Sequence, residues 1–174
     1  VGAAGPAEAP TGKAAIQGFE QAVTNEEEAK NWRSVSDRKI RVGIAGYGVC
    51  GFGAAFHFQD HPNVTVAAVA DLDPDKCAEL AKRCRCETMY PSCEELIGDD
   101  SLEAIFIATD APSHARLAIA SLNAGKHVAS AVPAVFGSLE DADLLFAAVK
   151  ASDRKYMMFE TSYFHDDVYC MREM

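Results

Sequence analysis

The sequence predicts an α/β fold, a doubly wound parallel sheet in a three-layer αβα arrangement behind a flexible N-terminal arm. Three observations point there. From Lys39 onward, short apolar runs alternate with helical stripes, the pattern of βαβ units whose sheet is covered on both faces. A glycine-rich turn follows the first of those runs directly. A length of 174 residues allows one good core plus a tail, not two full domains. With 49% hydrophobic and 24% charged residues the composition is that of an ordinary globular chain. Sixteen Lys and Arg against twenty-six Asp and Glu give a net charge of −10, which disfavours nucleic acid and anionic membrane surfaces as partners. The longest uncharged run, Val42 to Gln59, carries five glycines and is too broken for a lipid-exposed helix.

Residues 1–38 read as an N-terminal arm. Val1 to about Lys13 is Ala, Gly and Pro with little to bury, and Phe19 to Trp32 could form a short helix. Residues 39–160 carry the fold. The first strand is Ile40–Ala45 and the second Val64–Ala70, with a helix between them beginning near Gly51. Asp73 as N-cap with Pro74 at the first helical position opens the next helix, whose Cys77, Leu80, Ala81 and Cys84 share one face. Ser92 and Glu95 form a capping box for a short helix, and Ala104–Ala108 reads as a central strand. After a turn at Thr109–Ser113, Ala115, Ala118, Ile119 and Leu122 form a helical face ended by Gly125, before a strand near His127–Ala129. Ser138 caps a further helix with Leu139, Ala142, Leu145, Phe146 and Val149 on one side, and Lys155–Glu160 supplies a sixth strand.

The chemistry sits in Gly46-Tyr47-Gly48-Val49-Cys50-Gly51, a G-x-G-x-x-G run at the end of the first strand. Gly46 permits the tight turn, Gly48 lets backbone approach a pyrophosphate, and Gly51 allows close helix-to-strand packing, with backbone N–H groups facing the anion. Asp71 stands at the end of the second strand, where a carboxylate accepts from both ribose hydroxyls of an adenosine. The combination predicts a Rossmann-type dinucleotide site. The plainer alternatives are a sheet that merely turns tightly and an Asp71 that caps its own loop. A carboxylate about 4 Å from a 2′-phosphate charge would cost roughly 4 kcal/mol at an effective dielectric near 20, about a thousandfold in affinity, so NAD is expected over NADP.

These residues, with Ala108-Thr109-Asp110-Ala111-Pro112-Ser113-His114 and Gly125-Lys126-His127-Val128, resemble the Gfo/Idh/MocA family of nicotinamide-dependent oxidoreductases from about Ile40 to Glu160. The resemblance implies that Thr109, Asp110 and His114 neighbour the nicotinamide ribose, the alternative for His114 being a solvent-exposed helix start. It also implies a Glu-Lys-Pro segment after G-K-H-V whose lysine approaches the reacting hydroxyl. Here the chain reads Ala129-Ser130-Ala131-Val132-Pro133, and Val132 can neither donate nor accept a proton. Replacement candidates are Glu160, Tyr163 and His165, with Asp166 and Asp167 beside them; His165 has the best intrinsic pKa for acid-base work, against the alternative of a surface histidine in a linker.

Family members place a second, substrate-binding domain after this region, commonly with the subunit interface. Residues 161–174 are thus expected to begin that domain or a linker to it, with the remainder beyond Met174, and the 174 residues alone to be inactive. The expected parent is an NAD-dependent oxidoreductase of a small carbohydrate-like substrate, a sugar, polyol or related metabolite, and a homo-oligomer. The rival readings are a catalytically silent dinucleotide-binding sensor or assembly module, and an NAD-dependent glycosidase-like enzyme. Six cysteines show no paired C-x-x-C, so no metal site is expected. They are compatible with a reducing, cytoplasmic compartment, although export with loss of a leader stays open. Cys50 in the glycine loop is either an activated thiol or loop filling.

Overall fold

The structure, a computed structural model, describes residues 33–160 and residue 171. The chain divides after Arg33, and the unit described below is that of residues 34–174. The arm of residues 1–32, Tyr163, His165, Asp166 and Asp167 lie outside the described residues.

Six strands form one sheet in the order β3-β2-β1-β4-β5-β6: β1 Ile40–Ala45, β2 Val64–Ala70, β3 Met89–Tyr90, β4 Ala104–Ile107, β5 His127–Ala131 and β6 Tyr156–Phe159. Every pairing is parallel. The order reverses between β1 and β4, so the connections leaving those two strands diverge and open a crevice at their carboxyl ends. Helix α1, Pro74–Cys84, starts where Asp73 caps it, its carboxylate accepting from the N–H groups of Asp75 and Lys76. It buries Cys77, Leu80, Ala81 and Cys84 against Val42, Ile44, Val66 and Phe106 on one face of the sheet. The other face is covered by α2 (Cys93–Ile97), α3 (His114–Asn123) and α4 (Leu139–Ala151), through Leu96, Leu117, Ala118 and Leu145. Ser92 and Ser138 cap α2 and α4 as their spacing predicts.

One element differs from expectation. No α-helix begins at Gly51; Val49–Ala54 winds as a 3-10 segment and Phe58–Asp60 as another. Gly51 has φ +74° and His57 φ +50°, and neither value fits a right-handed helix. Two glycines in six residues each cost roughly 1 kcal/mol of helix propensity, so the stretch lacks the drive to stay α-helical. It is held instead by an aromatic cluster in which Phe56 and Phe58 meet Phe106 and Phe159 with ring centroids 5.1–6.0 Å apart.

Candidate functional site

The sheet register sets the site. Ala45 pairs with Ala70 on one side and Ile107 on the other, so the residues that follow all three strands emerge together. Gly46 N–H donates to the Ala70 carbonyl at 2.8 Å and Ala108 N–H to the Ala45 carbonyl at 2.7 Å, which carries the ladder one step past the strands. The turn needs Gly46 for a steric reason: its φ is +93°, and a Cβ there would lie 2.5 Å from the Ala108 carbonyl oxygen.

The tight-packing role expected of Gly51 belongs to Gly53. A Cβ on Gly53 would stand 2.0 Å from the Gly46 oxygen, a backbone atom that cannot yield, whereas Gly51 faces the tips of the Arg83 and Tyr47 side chains. The spacing rule placed the third glycine where a helix would begin, and the 3-10 winding moves the close approach two residues on.

The resulting cleft, about 350 Å³, is bordered by Gly46, Gly48, Val49, Asp71, Thr109 and Asp110. Six of the ten residues predicted for a cofactor therefore meet in one place. Asp71 is held by two backbone donors, Tyr47 N–H on Oδ2 at 2.7 Å and Asp73 N–H on Oδ1 at 2.9 Å. The loop-capping role considered for Asp71 is thus present, and it does not use up the carboxylate, which has about four acceptor positions. Asp110 accepts from the Ser113 hydroxyl at 2.9 Å. The Thr109 hydroxyl oxygen is shielded from solvent and has no hydrogen-bond partner in the protein.

Of the other predicted residues, Tyr47, Gly51 and His114 do not border the cleft. Tyr47 turns its N–H to Asp71, and its ring lies under the Arg83 guanidinium, 5.2 Å from centroid to carbon. Cys50 and Gly51 sit in the 3-10 segment behind the turn. His114 is only 2% exposed, so it is neither a solvent-facing helix start nor a wall of the cleft. Its Nδ1 lies 2.7 Å from the Pro133 carbonyl oxygen and its Nε2 3.1 Å from that of Thr109. Glu160 follows β6, is exposed, and does not border the cleft. Val132, at the place where the resemblance expects a lysine, is 39% exposed.

Lys76 borders the cleft and was not singled out from sequence. The signal existed: Asp73 as N-cap with Pro74 fixes where α1 begins, and this sets the third residue of the helix beside the end of β2. Among the described residues no three His, Cys, Asp or Glu side chains converge as metal ligands. Burial pushes the Cys84 thiol up to about 11 and the Cys93 thiol up to about 12, so both behave as apolar filling.

Comparison with known proteins agrees with this geometry. Residues 40–160 match the Gfo/Idh/MocA family, described as an oxidoreductase family with an NAD-binding Rossmann fold. The glycosyl hydrolase family 109 protein 4 of Phocaeicola vulgatus is 33% identical over 117 residues, 61% of this chain and 22% of that protein. The inositol 2-dehydrogenase of Acidothermus cellulolyticus is 32% identical over 101 residues, 53% of this chain and 28% of that one. The crystal structure of myo-inositol 2-dehydrogenase from Lactobacillus plantarum shares the fold with a TM-score of 0.70 at 22% identity, over 78% of this chain and 40% of that one. The aligned region spans about a quarter of the length of these two curated relatives. The chain belongs to the Gfo/Idh/MocA oxidoreductase family, and residues 40–160 are its NAD-binding Rossmann domain.

Proposed function

We propose that the cleft at the carboxyl ends of β2, β1 and β4 is the NAD site, and that the protein at its natural length is an oxidoreductase of a sugar, polyol or related hydroxylated metabolite. The observation that carries this reading is the meeting of Gly46, Gly48, Asp71 and the partnerless Thr109 hydroxyl at the switch point of the sheet. The strand order supports a division of labour in which Asp71 after β2 takes the adenosine ribose, the backbone of Gly46–Gly48 after β1 the diphosphate, and Thr109 after β4 the nicotinamide half.

These residues fit the cofactor chemically. Asp71 is immobilised by two N–H donors on its own chain yet retains acceptor capacity for a diol. Its negative charge disfavours a 2′-phosphate. Gly48 leaves its peptide bare on the cleft side, and Thr109 has a hydroxyl with no competing protein partner. Bound there, NAD supplies the hydride acceptor or donor for a carbon bearing a hydroxyl. The accompanying proton needs a group of the protein. Val132 offers none, and Glu160, Tyr163 and His165 are the candidates.

Ala131 and Val132 favour a second reading, a dinucleotide-binding module without turnover. Calorimetry with NAD and NADP, followed by a polyol and sugar panel monitored through reduced-nicotinamide absorbance in the natural-length protein, separates the two. NAD binding with turnover supports the oxidoreductase, NAD binding with none across the panel supports the silent module, and no heat with NAD removes both.

A further inference from the structure

We infer that His114 is a positioning residue that sets the nicotinamide end of the site, an inference that rests on the NAD reading above. The ring is 2% exposed at the start of α3, and its two nitrogens face carbonyl oxygens on two different connections: Thr109, just past β4, and Pro133, just past β5. β4 and β5 are neighbours, with Ile107 paired to Ser130. One imidazole thus sits between the two loops that continue the site beyond the glycine turn, on the side away from Asp71.

Thr109 is the point of leverage. His114 meets its carbonyl, while its hydroxyl has no protein partner and the residue borders the cleft. Fixing the peptide fixes where Thr109 stands in the cleft wall. The other ring nitrogen meets the Pro133 carbonyl, on the segment carrying Val132. A neutral imidazole carries one N–H, so either tautomer donates to only one of the two carbonyls. A phenyl ring would fill the space and donate to neither. His114 acts through these loops without touching the ligand, and its removal should therefore be felt by one half of the dinucleotide only.

The test compares NAD with ADP, which has the adenosine and diphosphate but no nicotinamide riboside, by calorimetry on the 174-residue chain and its His114 variants. His114→Phe should weaken NAD about tenfold, the scale of one lost hydrogen bond, and leave ADP within about twofold. His114→Gln, whose amide takes the place of Nε2 and reaches the Thr109 carbonyl, should bind NAD within about threefold of the unaltered chain. His114→Asn, whose amide takes the place of Nδ1 and reaches only Pro133, should bind NAD more weakly than the Gln variant, again with ADP unchanged. If the Phe variant does not fold, the Gln and Asn pair decides alone. NAD and ADP weakening in parallel, or equal NAD affinity in the Gln and Asn variants, overturns the assignment. So does an unaltered chain that binds ADP as tightly as NAD. Binding of neither nucleotide by the unaltered chain removes the NAD reading itself, and this inference with it.

Discussion

Asp71 holds two backbone hydrogen bonds of its own chain, so its replacement should change both architecture and affinity. Asp71→Asn keeps one acceptor oxygen and removes the charge, so it should weaken NAD modestly while narrowing the gap between NAD and NADP, because the repulsion of a 2′-phosphate goes with the charge. Asp71→Ala strands two N–H groups and should cost about 1–3 kcal/mol in a urea melt as well. Paired titrations with both cofactors check this, and an unchanged NAD-to-NADP ratio in the Asn variant would take Asp71 out of the site. A second prediction contrasts two glycines with similar φ. Gly46→Ala meets the Ala108 carbonyl at 2.5 Å and should lose about 3–5 kcal/mol or fail to fold, whereas Gly125→Ala meets nothing within 4 Å and should lose only the roughly 1–2 kcal/mol of a left-handed alanine. Gly46, Gly48 and Asp71 were legible in the sequence because each acts at a strand end that the apolar runs already mark. His114 was named beside them through the resemblance, but its burial was not legible, since it depends on a carbonyl 19 residues away, across a strand pair whose register no local pattern encodes.

At the level of elements, five of the six strands and the helix caps followed from period and punctuation, with shifts of one or two residues at β4, β5 and β6. The two-residue β3 was never placed, because an alternation cannot be read from Met89 and Tyr90 alone. The helix after the glycine turn failed for the opposite reason: a motif implied it, while Gly51 and Gly53 inside it weakened it, and the local chemistry won. The helices also carry a pH signature. Cys84 ends α1 and Cys93 begins α2, and burial raises their thiols to about 11 and about 12. In the unfolded chain both titrate near the ordinary thiol value, so above about pH 9 the unfolded state sheds protons that the folded state keeps. Stability is therefore fully present below that pH and falls as pH rises toward the folded values, by at most about 1.4 kcal/mol per pH unit for each thiol. Urea midpoints between pH 8 and 10.5 should show the decline, and Cys84→Ala with Cys93→Ala should make it shallower, the rest coming from Cys77 and Cys86, whose thiols burial also pushes up. An equally steep decline in the double variant would place its origin elsewhere.

Among the described residues, part of one sheet face is left open. Parallel strands are ordinarily buried on both faces, yet on the face that α1 covers, β5 and β6 present an apolar groove of about 290 Å³ bordered by Val42, Phe106, Ala129, Met157 and Phe159. Met157 is 55% exposed within it. The groove also reaches Val64, Ala104 and Lys155, near the amino ends of the strands, whereas the proposed NAD cleft lies at the carboxyl ends, so the two surfaces can be probed independently. A net charge of −10 would repel an anionic dye, which makes a neutral one the better probe. Nile red should gain fluorescence on the 174-residue chain, and Met157→Lys should cut that gain at least about twofold by placing an ammonium among the apolar walls. NAD affinity should be the same in both proteins. A dye signal indifferent to the Met157 substitution would mean that the groove is filled in solution, and a change in NAD affinity would mean that the sheet couples its two ends, which the close packing around Phe106 makes the less expected result.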